Sequence, residues 1–144
     1  MGKIKDNKGK DYIVEPNKSL SVNGVLFSFK YMSSNKKRCF KYFEKDVKKS
    51  KLAYESFFQR ISELSQLEMK EVINLPKNIG LETIPYKEFK ACFSGIDEIV
   101  SNDSKLTVFR FNNNNYRIIC KQDINHQNIF YVLGFDFDFS AYKH

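Results

Sequence analysis

Apolar and polar residues alternate along the C-terminal part of the chain, and this spacing predicts β-strands. The alternation runs through 106–111 and 116–121, and the run 129–136 is rich in β-branched and aromatic residues. Four asparagines at 112–115 and the polar stretch 123–128 separate these runs, and asparagine tolerates the backbone conformations that tight turns require. The pattern therefore predicts a three-stranded antiparallel meander.

Earlier in the chain, the pattern predicts one strand and two helices. The alternation from Gly24 to Met32 is typical of a strand, and apolar residues at helical spacing over 51–64 predict an amphipathic helix. Residues 65–68 have the form of a capping box, so we expect a second helix to begin there and to end before Pro76. Residues 77–104 stay open, because they mix extended, helical and turn signals.

The order of these elements predicts an α+β fold, with a curled antiparallel sheet of about four strands and the helices packed on one face. The apolar side of the predicted helix needs a partner, and the sheet face with Phe109 and Ile118 is the large one that the pattern offers. With 144 residues, the chain has room for one core, which we expect within a single domain at 23–144. Residues 1–22 are polar and rich in lysine, and we expect a mobile basic arm there.

Charge is distributed unevenly along the chain. The formal net charge is +7, but residues 1–51 alone hold 14 basic and 5 acidic residues. A surface of this kind attracts RNA, DNA or an acidic protein partner. The candidate nucleic-acid-binding residues of the densest basic run are Lys36, Lys37, Arg38 and Lys41. The alternative is a compositional bias toward lysine, which leaves solvated lysine faces with no ligand.

Several protein classes do not fit the sequence. The three cysteines are widely spaced and none lies in a C-x-x-C motif, so neither a disulfide framework nor a zinc site is expected, and inert thiols are the simpler interpretation. No apolar run reaches the length of a membrane span, and the charged start does not look like a secretory signal. We expect a cytoplasmic protein that has no membrane partner.

The asparagine loop also determines which residues face one another in the hairpin. It places Arg110 directly opposite Arg117, on one face of the sheet with Lys121. Like charges in this position destabilise a strand pair, so we expect an anion to bind there, such as an RNA phosphate or a carboxylate of an acidic partner. The alternative is that the two side chains splay apart and pair with acidic residues elsewhere.

At this point the residues resemble a known family. The element order over 24–144, the segments 109–111 and 116–119, the run 129–133 and the terminal Tyr142 resemble the RelE/HigB superfamily. Its members are small bacterial toxins that are similar in shape to microbial ribonucleases and cut mRNA on the ribosome. The chain also resembles uncharacterised small proteins of bacterial mobile elements, which share an FSFKY-like strand and an FYVLGFD-like ending.

The resemblance implies a RelE-like fold and a chemistry that uses no metal and no other cofactor. On that pattern, Arg110 and Arg117 match the arginines that contact phosphate, and Tyr142 matches the C-terminal aromatic residue that helps to move a proton. The further candidates for proton transfer or phosphate binding are Lys121, His126 and His144. The implied partners are RNA or the ribosome, and an antitoxin-like or other acidic protein.

Asp136 and Asp138 depart from the family pattern, which usually has basic residues there. Two carboxylates would repel phosphate unless they orient the arginines or lie on the far face of the sheet. Residues two apart on a strand point the same way, so this pair is also a candidate to bind a metal or to act as acid and base. An exposed strand end is the simpler interpretation.

Two functions therefore compete. The first is an RNA-acting, toxin-like protein, a metal-independent mRNA endoribonuclease of the toxin–antitoxin or phage-defence type, with Arg110, Arg117 and Tyr142 as its catalytic residues. The second is a non-catalytic binding module of the same fold that binds nucleic acid or an acidic protein.

Overall fold

A computed structural model describes residues 3–5, 11–13, 24–90 and 93–144 of the chain. Most of the arm expected at 1–22 lies outside these residues. The described part of the arm is two short strands, β1 (Lys3–Lys5) and β2 (Asp11–Ile13), which pair with each other in antiparallel orientation.

The main sheet has five strands, and two helices complete an α+β fold. The strands are β3 (Leu26–Ser28), β4 (Leu81–Pro85), β5 (Lys105–Phe111), β6 (Tyr116–Gln122) and β7 (Ile129–Asp136), in the order β3-β7-β6-β5-β4. The predicted meander of β5, β6 and β7 is confirmed, and β3 joins the sheet as expected.

Two features of this sheet differ from the expectation. The sheet is mixed rather than antiparallel, because β3 pairs with β7 in parallel. The long connection between these two strands allows that direction, which a tight turn would not. The additional strand is β4, which ends at Pro85 and lies at the edge of the sheet, where proline is tolerated because one side of the strand needs no partner.

The first helix, α1 (Val47–Ser65), extends the predicted segment at its start. The side chain of Asp46 caps it by accepting a hydrogen bond of 3.0 Å from the backbone N–H of Lys49. Ala53, Phe57 and Leu64 are buried along one side of α1. The predicted apolar side of the helix does not pack on the sheet throughout, since Phe58, one of the apolar residues at helical spacing in 51–64, is 63% exposed.

The second helix, α2 (Met69–Asn74), is shorter than predicted. The capping box expected at Ser65 is wrong, since Ser65 is the last residue of α1 and Glu68 precedes α2 without a side-chain cap. The predicted end is confirmed, because Leu75 is extended before Pro76. In the part of the chain that the structure describes, neither helix combines the length and apolar character needed to cross a membrane.

Both faces of the sheet are buried. The helix face packs against α1, α2 and the 40–43 segment, and its buried sheet residues include Phe109, Phe111, Ile118, Cys120, Phe130 and Phe135. The opposite face, here named the tail face, carries Leu106, Val108, Ile119 and Leu133 under residues from the 86–100 segment and the C-terminal Ala141 and Tyr142. The sheet therefore has two large apolar faces, whereas the sequence pattern predicts only the helix face.

A β-bulge changes the register between β6 and β7. Ile119 pairs with Gly134, whereas Cys120 pairs with Val132. Beyond the bulge, Arg117 lies opposite Asp136. Without the extra residue Phe135 would face Arg117, and Asp136 would point to the helix face, because a shift of one residue exchanges the faces of a strand.

The segment after β3 continues along the edge of β7 that β3 leaves unpaired. The backbone N–H of Ser33 donates a 2.8 Å hydrogen bond to the carbonyl of Leu133, and a 3-10 turn follows at Lys36–Arg38. Arg38 lies so close to Gly134 that a Cβ atom there would be 2.7 Å from the carbonyl oxygen of Arg38. The bulge and Gly134 together bring the Arg38 backbone against the same end of β7 as Asp136.

Candidate functional site

The predicted arginine pair is present on the tail face. Arg110 of β5 and Arg117 of β6 are direct partners in the antiparallel register, as the asparagine loop implied. The Nη2 atom of Arg110 lies 3.4 Å from a carboxylate oxygen of Glu82, and Nη1 of Arg117 donates to the carbonyl oxygens of Asn114 and Tyr116. The alternative, that the two side chains splay apart and pair with acidic residues elsewhere, describes Arg110, which contacts Glu82. It does not describe Arg117, which is 6% exposed and donates to backbone carbonyls.

Both arginines retain an unused hydrogen-bond donor. The buried Nε atoms of Arg110 and Arg117 have no hydrogen-bond partner among the described residues. A buried N–H without a partner costs roughly 1–3 kcal/mol, and more for a charged group. The pair therefore combines two positive charges with two unsatisfied donors, which is suited to binding an anion.

Tyr142 lies at the same site, because its packing brings the C-terminal segment over the tail face. Its ring centroid is 5.0 Å from that of Phe89 and 4.0 Å from that of His144. Burial and the charge of Glu82 raise the pKa of the Tyr142 phenol, although the neighbouring Arg117 acts in the opposite direction. Tyr142 therefore stays a neutral hydroxyl at neutral pH.

Asp136 is the centre of a buried network on the strand beside Arg117. Its carboxylate accepts hydrogen bonds from the backbone N–H groups of Ser140 at 3.0 Å and Ala141 at 3.2 Å, and lies 3.5 Å from Nη1 of Arg38 and 3.0 Å from Nε2 of His144. Several donors therefore share one buried carboxylate. The expectation of an exposed strand end is therefore wrong for Asp136, which is buried.

Asp138 lies at the border of this network. Burial acts to raise its pKa, but the hydrogen bonds from Ser140 and the charge of Arg38 outweigh burial and hold the pKa of Asp138 below its ordinary value. Its Oδ1 atom is 3.9 Å from Nη1 of Arg38. The two aspartates therefore orient Arg38 rather than form an isolated pair, and no group of three potential metal ligands occurs among the described residues.

His144 and Arg117 both contact the ring of Phe139. The Cζ atom of Arg117 lies 5.2 Å from the ring centroid of Phe139, and the His144 ring meets the same ring edge-on at 5.0 Å. Phe139 has a φ of +61°, a conformation that is costly for a bulky residue and is often associated with functional sites. This strained residue brings the histidine–aspartate pair next to the arginine pair.

The other predicted residues lie elsewhere. Lys121 is four positions along β6 from Arg117, which is roughly 13 Å on an extended strand, and its Nζ donates to the carbonyl of Gln122. His126 is exposed and lies 3.1 Å from Asp123. Of the basic run, Arg38 is buried against Asp136, so its guanidinium group does not face solvent with the exposed lysines Lys36, Lys37 and Lys41.

A cavity of about 470 Å³ opens beside Arg110. It lies between α1 and the asparagine loop, and its lining includes Gln59, Arg60, Asn78 and Asn112. Arg60 donates a 3.0 Å hydrogen bond to the carbonyl of Arg110. This carbonyl has no partner in β4, because β4 begins opposite Phe109. Neither Arg60 nor this cavity could be found from the sequence pattern, because α1 and β5 are far apart in the chain.

No protein-family model, curated protein or solved structure matches the chain.

Proposed function

We propose that this protein is a metal-independent endoribonuclease of the toxin type, as the resemblance to the RelE/HigB superfamily implies. The observation that carries the proposal is the convergence of the Arg110–Arg117 pair with the Asp136–His144 pair around Phe139. A cationic pair stabilises the charge of a phosphodiester in its transition state, and a histidine moves a proton at neutral pH.

The proposal gives each of these residues a role. Arg110, whose side chain is 27% exposed, contacts the scissile phosphate, and the buried Arg117 beside it adds a second positive charge. His144 takes the proton of the ribose 2′-hydroxyl at Nδ1, because its Nε2 atom faces the buried Asp136 carboxylate. The Tyr142 ring packs against the His144 ring at 4.0 Å with a tilt of 34° and supports it, which makes Tyr142 a positioning residue.

The reaction is a transesterification. The 2′-oxygen forms a bond to phosphorus while the bond from phosphorus to the 5′-oxygen breaks. The 2′-hydroxyl proton goes to His144, and the leaving 5′-oxygen takes a proton from solvent. The products are a 2′,3′-cyclic phosphate and a 5′-hydroxyl end, with no redox change.

The test is cleavage of single-stranded RNA by purified protein, with and without ribosomes, in the presence of EDTA. We expect cyclic-phosphate products from wild type and at least about a hundredfold loss of rate in His144→Ala, since general base catalysis typically contributes that much. His126→Ala is the matched control, because that histidine is exposed and far from the arginine pair. RNA with 2′-O-methyl groups should stay intact. Equal rates for the two histidine variants would contradict the mechanism.

The same variants test the toxin proposal in cells. Induced expression of wild type in bacteria should arrest growth, while His144→Ala and the Arg110→Ala/Arg117→Ala double variant should not. Because Arg117 is buried, the double variant also needs a circular dichroism spectrum that matches wild type. Growth arrest by a folded double variant would contradict a role for the arginine pair.

A non-catalytic binding module is the second candidate, and the burial of Arg117 and Tyr142 favours it. A ligand would then reach Arg110, whose side chain is 27% exposed, and the exposed lysines. In that case purified protein should leave RNA uncut with or without ribosomes, while Arg110→Gln should weaken the binding of RNA or of an acidic protein partner.

A further inference from the structure

Three aromatic rings lie exposed on one side of the molecule, away from the candidate site. Tyr54 and Phe58 are one turn apart on the same side of α1, and Phe29 follows β3. The Phe57 ring lies 6.1 Å from Phe29 and 5.7 Å from Phe58, so it links them. Phe29, Tyr54 and Phe58 are not core residues, because their side chains remain about half exposed or more.

The rings are held in place from beneath. Tyr54 stacks on Phe40 at 4.1 Å with an interplanar angle of 14°, and Phe40 in turn packs against Phe135 of the sheet at 4.7 Å. The exposed area of Tyr54 lies on the side away from Phe40. Rigid support of this kind lowers the entropy that is lost when a ligand stacks on the ring.

The chain between Phe29 and Tyr54 is strongly basic, although Lys51 lies 3.8 Å from Glu55 on α1. Eight exposed lysines lie between 30 and 51, namely Lys30, Lys36, Lys37, Lys41, Lys45, Lys48, Lys49 and Lys51. The same stretch holds two acidic residues, and Glu44 pairs with Lys36 while Asp46 caps α1. The surface is thus aromatic and cationic together.

This combination favours unpaired nucleic acid over the other ligands of a basic surface. Unpaired bases present flat faces that stack on aromatic rings, and the phosphates between them pair with lysine. Lysine is depleted in protein–protein interfaces, which argues against a protein partner.

We propose that Phe29, Tyr54 and Phe58 form a stacking platform for the bases of single-stranded RNA, with the surrounding lysines contacting its phosphates. The inference rests on the proposed function in taking RNA as the ligand.

The test is fluorescence anisotropy with a labelled 2′-O-methyl oligouridine, which binds but cannot be cut through its 2′-oxygen. We expect Phe58→Ala to weaken binding at least about fivefold, the lower limit for the loss of one stacked base. Leu52→Ala is the matched control, because Leu52 is a large exposed residue on the other side of α1. When the same oligonucleotide is in a duplex, both variants should bind it with nearly the affinity of wild type, since paired bases do not stack on the rings.

Other outcomes overturn the platform. Equal affinities of Phe58→Ala and wild type for the single strand would do so, as would a wild type that does not bind it. So would a loss in Phe58→Ala that is confined to binding of an acidic peptide or of anionic lipid vesicles. The two proposals fail separately, because absence of cleavage of unmodified RNA overturns the endoribonuclease and leaves the anisotropy result standing.

Discussion

The two faces of the sheet are both buried, but they are built from different chemistry. The helix face is an aromatic core in which rings such as Phe109, Phe130 and Phe135 pack edge to face. The tail face is apolar in the middle and polar at both ends, with Arg117 beside Asp136 at one end and Asp123 at the other. Burying a charged group costs free energy unless the group is paired. The helix face therefore stabilises the fold through apolar packing, whereas the charged groups of the tail face reduce the stability that its apolar middle contributes.

The largest effect is expected on the helix face. Phe109 is fully buried and its ring meets Phe27 at 5.7 Å and Phe130 at 5.2 Å. Phe109→Ala should lower the free energy of unfolding by about 3–5 kcal/mol, since it removes a large buried ring and leaves a cavity. Urea denaturation measures this loss, and Phe58→Ala, which removes an exposed ring, should change stability by about 0.5 kcal/mol or less. Similar losses in both variants would contradict the division of the faces.

On the tail face, the largest effect is expected at Asp136. Asp136→Asn removes the charge that faces the buried Arg38 and should lower the free energy of unfolding by about 3 kcal/mol. This is the lower end of the range for a broken buried pair, because Asp138 still lies 3.9 Å from Arg38.

A double-mutant cycle separates the ion pair from packing. The Arg38→Met/Asp136→Asn variant should lose less stability than the sum of its single variants, because no buried charge is then left alone. Additive losses in urea denaturation would show that the two groups do not act as a pair.

The sequence predicts the parts of the fold that depend on local pattern. The loop of four asparagines places Arg110 opposite Arg117, and the structure has that register. The pairing of β3 with β7 could not be predicted, because it joins strands about a hundred residues apart. The sequence also does not predict β4 as a strand, because β4 is short, ends in Pro85 and lies within the 77–104 region of mixed signals.

The candidate site was predictable only in part, and the bulge explains why. A regular ladder from the 123–128 turn would place Phe135 opposite Arg117, so the sequence alone does not bring Asp136 to the arginines. The contact of Asp136 with Arg38 joins residues 98 positions apart and depends on the missing side chain of Gly134. The roles of Arg110, Arg117 and Tyr142 in catalysis stay predictions.

A smaller effect is expected at the bulge itself. In Gly134→Ala the new Cβ would lie 2.7 Å from the carbonyl oxygen of Arg38 and 3.0 Å from the Phe93 ring. Backbone cannot yield cheaply, so we expect a loss of about 1–3 kcal/mol in the free energy of unfolding.

The control for this variant is Gly95→Ala. A Cβ atom at Gly95 would meet no atom within 4 Å. The substitution therefore costs only the strain of an alanine at a φ of +72°, about 1 kcal/mol. Gly134→Ala should therefore be the more destabilised of the two in urea denaturation. The reverse order would mean that Arg38 does not lie against β7.

The smallest effect is expected at the far end of the tail face, and it concerns a pKa rather than stability. Tyr131 donates a 2.9 Å hydrogen bond to Asp123, and this bond is the main cause that holds the pKa of Asp123 below its ordinary value of 3.8. A lowered pKa stabilises the fold above that value and the contribution is lost as the pH falls through the folded pKa. Tyr131→Phe should raise the pKa of Asp123 toward 3.8 and weaken this acid dependence, while the hydrogen bonds from Asn125 and His126 retain part of it. Carboxyl-carbon NMR titration measures the change, and Tyr31→Phe, whose hydroxyl donates to Glu98 instead, should leave the pKa of Asp123 where it is. An unchanged pKa in Tyr131→Phe would mean that this end of the face is not organised by the tyrosine. The predicted rise would show that a side-chain hydroxyl tunes Asp123, whereas the Asp136 carboxylate accepts from the backbone N–H groups of Ser140 and Ala141.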